Sequence, residues 1–145
     1  MATRVYLVPT DFSDCSEAAL AKAIDLAAGT ASTVVLLHVY NLALVGPYDG
    51  ALVPNGDVIA SIETAARRSL AELQKRYGSS GVEVTTSLRN GDPRDVILQV
   101  ARDVAADMIV MGTHGRHGLL RALLGSTTER IVRTSDTPVL TVHAP

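Results

Sequence analysis

The residues best suited to chemistry fall in three short clusters. Gly112-Thr113-His114-Gly115 ends an apolar run, Gly125-Ser126-Thr127-Thr128 follows nine residues further on, and Pro9-Thr10-Asp11 closes the first apolar run of the chain. Glycines let backbone amides come close to an oxyanion, because no Cβ stands in the way. The amides at a helix start carry about half a positive charge from the aligned peptides. Ser126, Thr127 and Thr128 add hydroxyl donors. Two amide-bearing edges around one crevice suit a polyphosphate. A plainer reading competes: a glycine after a strand supplies a turn, and Ser126-x-x-Glu129 has the spacing of a capping box that needs no ligand.

Several other chemistries lack their residues. There is no G-x-x-x-x-G-K-[ST] loop and no lysine between Gly91 and the end of the chain, so fast phosphate hydrolysis is not expected. Arg116, Arg121 and Arg130 are the nearby cations; Arg116 is placed to approach phosphates, whereas Arg130 reads as a solvated helix residue. His114 and His117 form an H-x-x-H pair, but no cysteine or carboxylate completes a zinc set with them or with His38. His38, on an apolar strand, reads as a satisfied core histidine. G-S-T-T at 125–128 is not a nucleophile elbow. Cys15, the only cysteine, reads as a packing residue early in a helix, where a reactive thiol stays open.

The elements that must position these clusters alternate along the chain. Val5–Val8 reads as a buried strand. Ser13 or Asp14 caps a helix that carries Leu20, Ile24 and Ala27 at helical spacing and stops at Gly29. Thr33–Tyr40 is β-branched and almost wholly apolar, as a central strand buried on both faces would be. The stretch from Asn41 to Gly56 has the composition of an irregular connection, long enough to suggest a function. Asp57 is placed to cap a long helix with Ile59, Ile62, Ala66, Leu70 and Leu73 on one stripe. Val82 to Leu88 alternates, as an edge strand does. Asp92-Pro93 caps a third helix, Met108–Met111 is a fourth strand, Ser126–Arg133 a short helix, and Pro138–Val142 the last strand.

This order predicts an α/β fold: an open five-stranded parallel sheet, strand order 3-2-1-4-5, with helices on both faces. The strand order reverses between the first and fourth strands, and ligands of such sheets bind at the carboxyl ends of the strands at that reversal. Pro9-Thr10-Asp11 and Gly112-Thr113-His114-Gly115 both fall there.

The chain has 145 residues, 47% of them apolar, with no tryptophan and one phenylalanine, which suits an aliphatic core in one domain spanning residues 1–145. A formal net charge of −2, without charged blocks, gives no footprint of nucleic-acid binding. The opening apolar run is too short for a membrane span or a signal peptide. The expectation is a cytoplasmic protein without membrane or nucleic-acid partners.

The spacing G-x2-G-x9-G-[ST] at Gly112, Gly115, Gly125 and Ser126 resembles the ATP-binding signature of the universal stress protein family. The resemblance extends to PTDFS after the first strand, LLHVY on the second, GDPRDVI opening the third helix, DMIVMGTHG on the fourth strand and TPVLTVH at the end. It implies the ATP-binding branch of that family and a Rossmann-like fold of the adenine nucleotide α-hydrolase type. It also implies a stress-response role and a homodimer formed through the last strand, Val139–Val142. An open edge strand invites such pairing on physical grounds too.

By the same resemblance Asp11 meets the ribose or adenine, with Pro9 and Thr10 shaping that wall, and the backbone of Val39 meets the adenine edge. Met111, Gly112, His114 and Gly115 line the ribose and phosphates, and Gly125, Ser126, Thr127 and Thr128 hold the phosphate chain. ATP is the expected nucleotide, with AMP and cyclic AMP as alternatives, and a magnesium or manganese ion would ride on the phosphates. Two other readings remain: a slow ATPase or nucleotide hydrolase using His114 or Asp11 as base, and a nucleotide-free dimeric interaction protein.

Overall fold

A computed structural model of the chain describes residues 3–42, 55–114 and 123–145. Gly115 and Arg116, the apolar pair Leu119-Leu120, and most of the stretch between Asn41 and Gly56 lie outside the described residues.

Strands β1 (Arg4–Pro9), β2 (Ser32–Tyr40), β3 (Glu83–Asn90), β4 (Met108–Gly112) and β5 (Val139–Val142) alternate with helices α1 (Asp14–Ala27), α2 (Gly56–Arg76), α3 (Pro93–Asp103) and α4 (Ser126–Thr134). The strands form one five-stranded sheet in the order β3-β2-β1-β4-β5, with every pairing parallel, as the sequence pattern predicts.

The two-residue period of the strands divides the core between the two faces of the sheet. Tyr6, Val8, Val34, Leu36, Val84 and Val110 point to one face, where Ala19, Leu20, Ala23 and Ile24 of α1 and Leu70 and Leu73 of α2 cover them. Leu7, Val35, Leu37, Ile109 and Met111 point to the other, under Ile97, Val100 and Ala101 of α3 and Ile131 of α4. Both faces are covered, which is why β1, β2 and β4 read as nearly continuous apolar runs. On β3, at the sheet edge, only Val84 is fully buried.

Local chemistry sets the helix ends. Ser13 caps α1 by accepting from the Ser16 amide, and Gly29, at φ +73°, ends the turn after it in the left-handed region that glycine adopts without strain. Helix α2 begins two residues earlier than Asp57 would set it as a cap. Asn55 caps it instead, its Oδ1 accepting from the Val58 amide at 3.0 Å, and Asp57 sits in the first turn. Asp92 caps α3, with Pro93 at the first helical position. No helix among the described residues is long and apolar enough to cross a membrane.

Candidate functional site

Strands β1 and β4 pair only at Tyr6 with Met108 and Leu7 with Ile109. Their last residues, Pro9 on one side and Met111-Gly112 on the other, stand beyond that ladder, and the first turn of α1 packs against Gly112. Gly112 touches this turn directly: a Cβ built there would lie 2.7 Å from the carbonyl carbon of Cys15. Glycine at 112 therefore lets helix and strand approach each other, whatever else it does.

On the β1 side every polar group of Thr10 has work within the fold. Its amide donates to Leu37 O at 2.8 Å, and its Oγ1 meets Ser16 Oγ at 3.0 Å and accepts from the Phe12 amide at 3.0 Å. Its carbonyl lies 2.7 Å from His38 Nδ1, which must carry the proton because a carbonyl only accepts. His38 is thus hydrogen-bonded and half-buried, with its ring centroid 4.5 Å from that of Phe12. Pro9 is buried beside it. Asp11 is half-buried, and its Oδ1 accepts from the Ser13 amide at 3.0 Å, tightening the turn into α1. That turn requires Phe12 at φ +64°, a conformation unfavourable for a bulky residue by about 1–2 kcal/mol.

Val39 lies on the last stretch of β2, where His38 to Tyr40 pair with β3 but, among the described residues, not with β1. At the end of this stretch the Tyr40 hydroxyl donates to Glu63 Oε1 of α2 at 2.5 Å. That bond to a carboxylate, then burial, pushes the Tyr40 phenol above its usual pKa.

The two glycine clusters meet on the β4 side. The Gly125 amide donates to Thr113 O at 2.7 Å, and the buried Thr128 hydroxyl donates to Gly112 O at 2.8 Å. The capping box read into Ser126 and Glu129 does not form. Gly125 is the N-cap, Ser126 is the first helical residue and is exposed, and no side chain among the described residues caps α4. The reason is positional: the Gly125 amide is held by Thr113 O, so the helix starts one residue before a serine cap could act. The first-turn amides of α4 thus keep their partial positive charge without a side-chain oxygen on it.

Two residues outside the predicted set belong to this wall. Thr113 is 1% exposed, and its Oγ1 lies 3.1 Å from His114 Nδ1 and 3.2 Å from His143 Nδ1. The other nitrogen of His114, Nε2, is buried and has no hydrogen-bond partner among the described residues. The residue types gave Thr113 no role beyond its place in the Gly112–Gly115 cluster and gave His143 none; the sheet register brings them together, since the Thr113 amide donates to Val142 O at the end of β5. Pro9, Thr10, Asp11, Met111, Gly112, His114, Gly125, Ser126, Thr127 and Thr128 all lie at the carboxyl ends of β1 and β4 or at the start of α4, and Val39 lies at the end of β2.

The model of the universal stress protein family matches residues 3–143. A universal stress protein of Methanocaldococcus jannaschii, MJ0531, is 33% identical over 141 residues, covering 96% of this chain and 81% of that one. The solved structure of a second protein of that organism, MJ0577, superposes with a TM-score of 0.83 at 30% identity over 98% of this chain and 96% of that one. A universal stress protein solved in complex with cAMP matches with a TM-score of 0.73 at 25% identity over 100% of both chains. With the family model covering nearly the whole length and the sheet order in agreement, this chain belongs to the universal stress protein family.

Proposed function

We propose that the protein binds an adenine nucleotide, ATP by the glycine signature, in the crevice between the ends of β1 and β4, and acts as a nucleotide-responsive stress-response module. The observation that carries this reading is the start of α4. It has no side-chain cap among the described residues, and the Gly125 amide and the Thr128 hydroxyl tie it to the glycine-bearing end of β4. A helix start without a side-chain cap, tied to the strand end that carries a buried imidazole nitrogen with no partner among the described residues, suits an oxyanion. The cAMP-bound relative supports adenine as the base; AMP and cyclic AMP remain the alternatives to ATP.

In this reading Ser126, Thr127 and the α4 amides hold phosphate, and the signature assigns His114 and Gly115 to the ribose and phosphates. Asp11 binds the ribose or adenine against Pro9 and Thr10, and the Val39 backbone meets the base. Among the described residues no group of three metal-ligating side chains would hold a divalent ion, so magnesium or manganese would travel with the phosphates. The same reading takes residues 1–145 as one domain, acting in the cytoplasm as a homodimer paired through β5, whose outer edge pairs with no other described strand.

Calorimetric titration with ATP at millimolar concentration tests the reading. Heat of binding and thermal stabilisation are expected from the folded protein, and neither should survive in Gly125→Val. Folded protein giving neither response would end the nucleotide reading. Wild-type affinity in Gly125→Val would move the phosphate site away from α4.

A further inference from the structure

Thr113 supplies one hydroxyl to two imidazoles. Its Oγ1 has His114 Nδ1 at 3.1 Å and His143 Nδ1 at 3.2 Å, and it is almost wholly shielded from water. A hydroxyl has one proton to give and lone pairs to receive with. If both neutral rings accepted, only one would find a proton. If both donated, the hydroxyl proton would be buried without an acceptor among the described residues, at a cost of about 1–3 kcal/mol. The arrangement that satisfies all three groups has one ring accepting from the hydroxyl and the other donating to it.

We infer that Thr113 and His143 are positioning residues for His114: the shared hydroxyl forces the two histidines into opposite tautomers and so couples the proton at the buried Nε2 of His114 to the tautomer of His143. When His114 Nδ1 accepts from Thr113, the His114 proton sits on Nε2, which is then a donor. The hydroxyl oxygen receives the Nδ1 proton of His143, and His143 Nε2 is bare. In the reverse state His114 Nε2 is bare and His143 Nε2 carries the proton. In each interconversion the hydroxyl gives its proton to the Nδ1 that was accepting and takes one from the Nδ1 that was donating, while the first ring loses its Nε2 proton to water and the second gains one there, so the proton count of the trio does not change.

The direction rests on the nucleotide reading. A phosphate oxygen only accepts, so an anion at the end of β4 selects the state with the proton on His114 Nε2. His143 is exposed and directly follows β5. Occupancy of the crevice is therefore written into the hydrogen-bonding character of a surface histidine at the far edge of the sheet. By linkage, a donor that binds His143 Nε2 there favours anion binding, and an acceptor opposes it.

Histidine-selective 15N labelling and long-range 1H–15N correlation spectra at about pH 8, where an ordinary imidazole is neutral, read each tautomer directly. His114 and His143 are expected in opposite tautomers in the nucleotide-free protein. Thr113→Ser should keep that pattern, and Thr113→Val should lose it. Finding the same tautomer on both rings of the wild type, or the opposite pattern persisting in Thr113→Val, overturns the inference. If Thr113→Val does not fold, the wild-type and Thr113→Ser spectra still decide it. With ATP bound, His114 should carry its proton on Nε2 and His143 on Nδ1; calorimetric binding with the His114 proton on Nδ1 overturns the direction. Absence of ATP binding refutes the nucleotide reading, while the tautomers of the free protein still decide the relay.

Discussion

Replacing Gly112 with alanine separates packing from ligand contact. The new Cβ would lie 2.7 Å from Cys15 C, 2.8 Å from Cys15 Cβ and 2.8 Å from Cys15 O. Carbon atoms pack at about 3.5–4.0 Å, so the overlap approaches 1 Å. It falls on the backbone of α1, which cannot swing aside as a side chain would. That turn is pinned by Ser13 at the cap and by Ser16 against Thr10, so relief requires the helix to shift on the sheet. Overpacking of this kind costs about 1–3 kcal/mol. For a chain of this size that corresponds to a fall in Tm of roughly 3–10 °C. Urea and thermal unfolding of nucleotide-free protein, followed by far-UV circular dichroism, measure it. Cys15→Ala in the same background should not rescue stability, because the clashing carbonyl and Cβ remain. A Gly112→Ala protein within about 0.5 kcal/mol of wild type would refute the reasoning, since a close helix–strand approach cannot absorb a methyl group without cost.

Three further outcomes follow from local geometry. Thr128→Val removes the hydroxyl bond to Gly112 O in a residue 4% exposed; urea unfolding should show a loss of about 1–3 kcal/mol, with Thr128→Ser nearer wild type. Gly91 sits at φ +146° with an added Cβ 2.8 Å from Val96 Cγ2, so Gly91→Ala should destabilise by about 1–3 kcal/mol in the same assay. Hydrogen bonds from the Arg94 side chain, then its amide, hold Asp92 down at about 2 from an ordinary 3.8. A carboxylate with a lowered folded-state pKa contributes stability above its unfolded pKa and loses it as pH falls towards the folded one. The wild-type Tm should therefore drop from about pH 4 to about pH 2 more steeply than that of Asp92→Asn, which keeps a capping side chain without the titration; parallel slopes would contradict the assignment.

What the sequence made legible was whatever depends on periodicity and on punctuation by single residues. The apolar runs of β1, β2 and β4 announced strands covered on both faces, and the alternation of β3 announced an edge, because side-chain period maps directly onto burial. Gly29 and Asp92-Pro93 marked helix ends through backbone preferences that hold in any context. The caps of α2 and α4 were misplaced for a common reason. Asn55, Asp57, Gly125 and Ser126 are all acceptable near a helix start, and the choice among them is made by tertiary bonds such as Gly125 N to Thr113 O. The pairing of Thr113 with His143 was invisible because a 30-residue separation is closed only by the β4–β5 register.

The proposed nucleotide site is thereby divided into residues the fold already requires and residues it does not. Gly112 lets α1 approach, Thr128 ties α4 to β4, and the Thr10 hydroxyl braces the turn after β1. Substituting any of these confounds binding with stability. Ser126 is different: it is exposed, it opens α4, and it caps nothing. In the proposed nucleotide site its hydroxyl donates to phosphate. Ser126→Ala should leave unfolding within about 0.5 kcal/mol of wild type. A hydroxyl bond to a charged phosphate is worth about 1.5–3 kcal/mol, so calorimetry should find ATP bound roughly tenfold more weakly or worse. Unchanged affinity in Ser126→Ala would mean that the backbone amides of α4 hold the anion alone, and that the serine of the signature has no part in the nucleotide site.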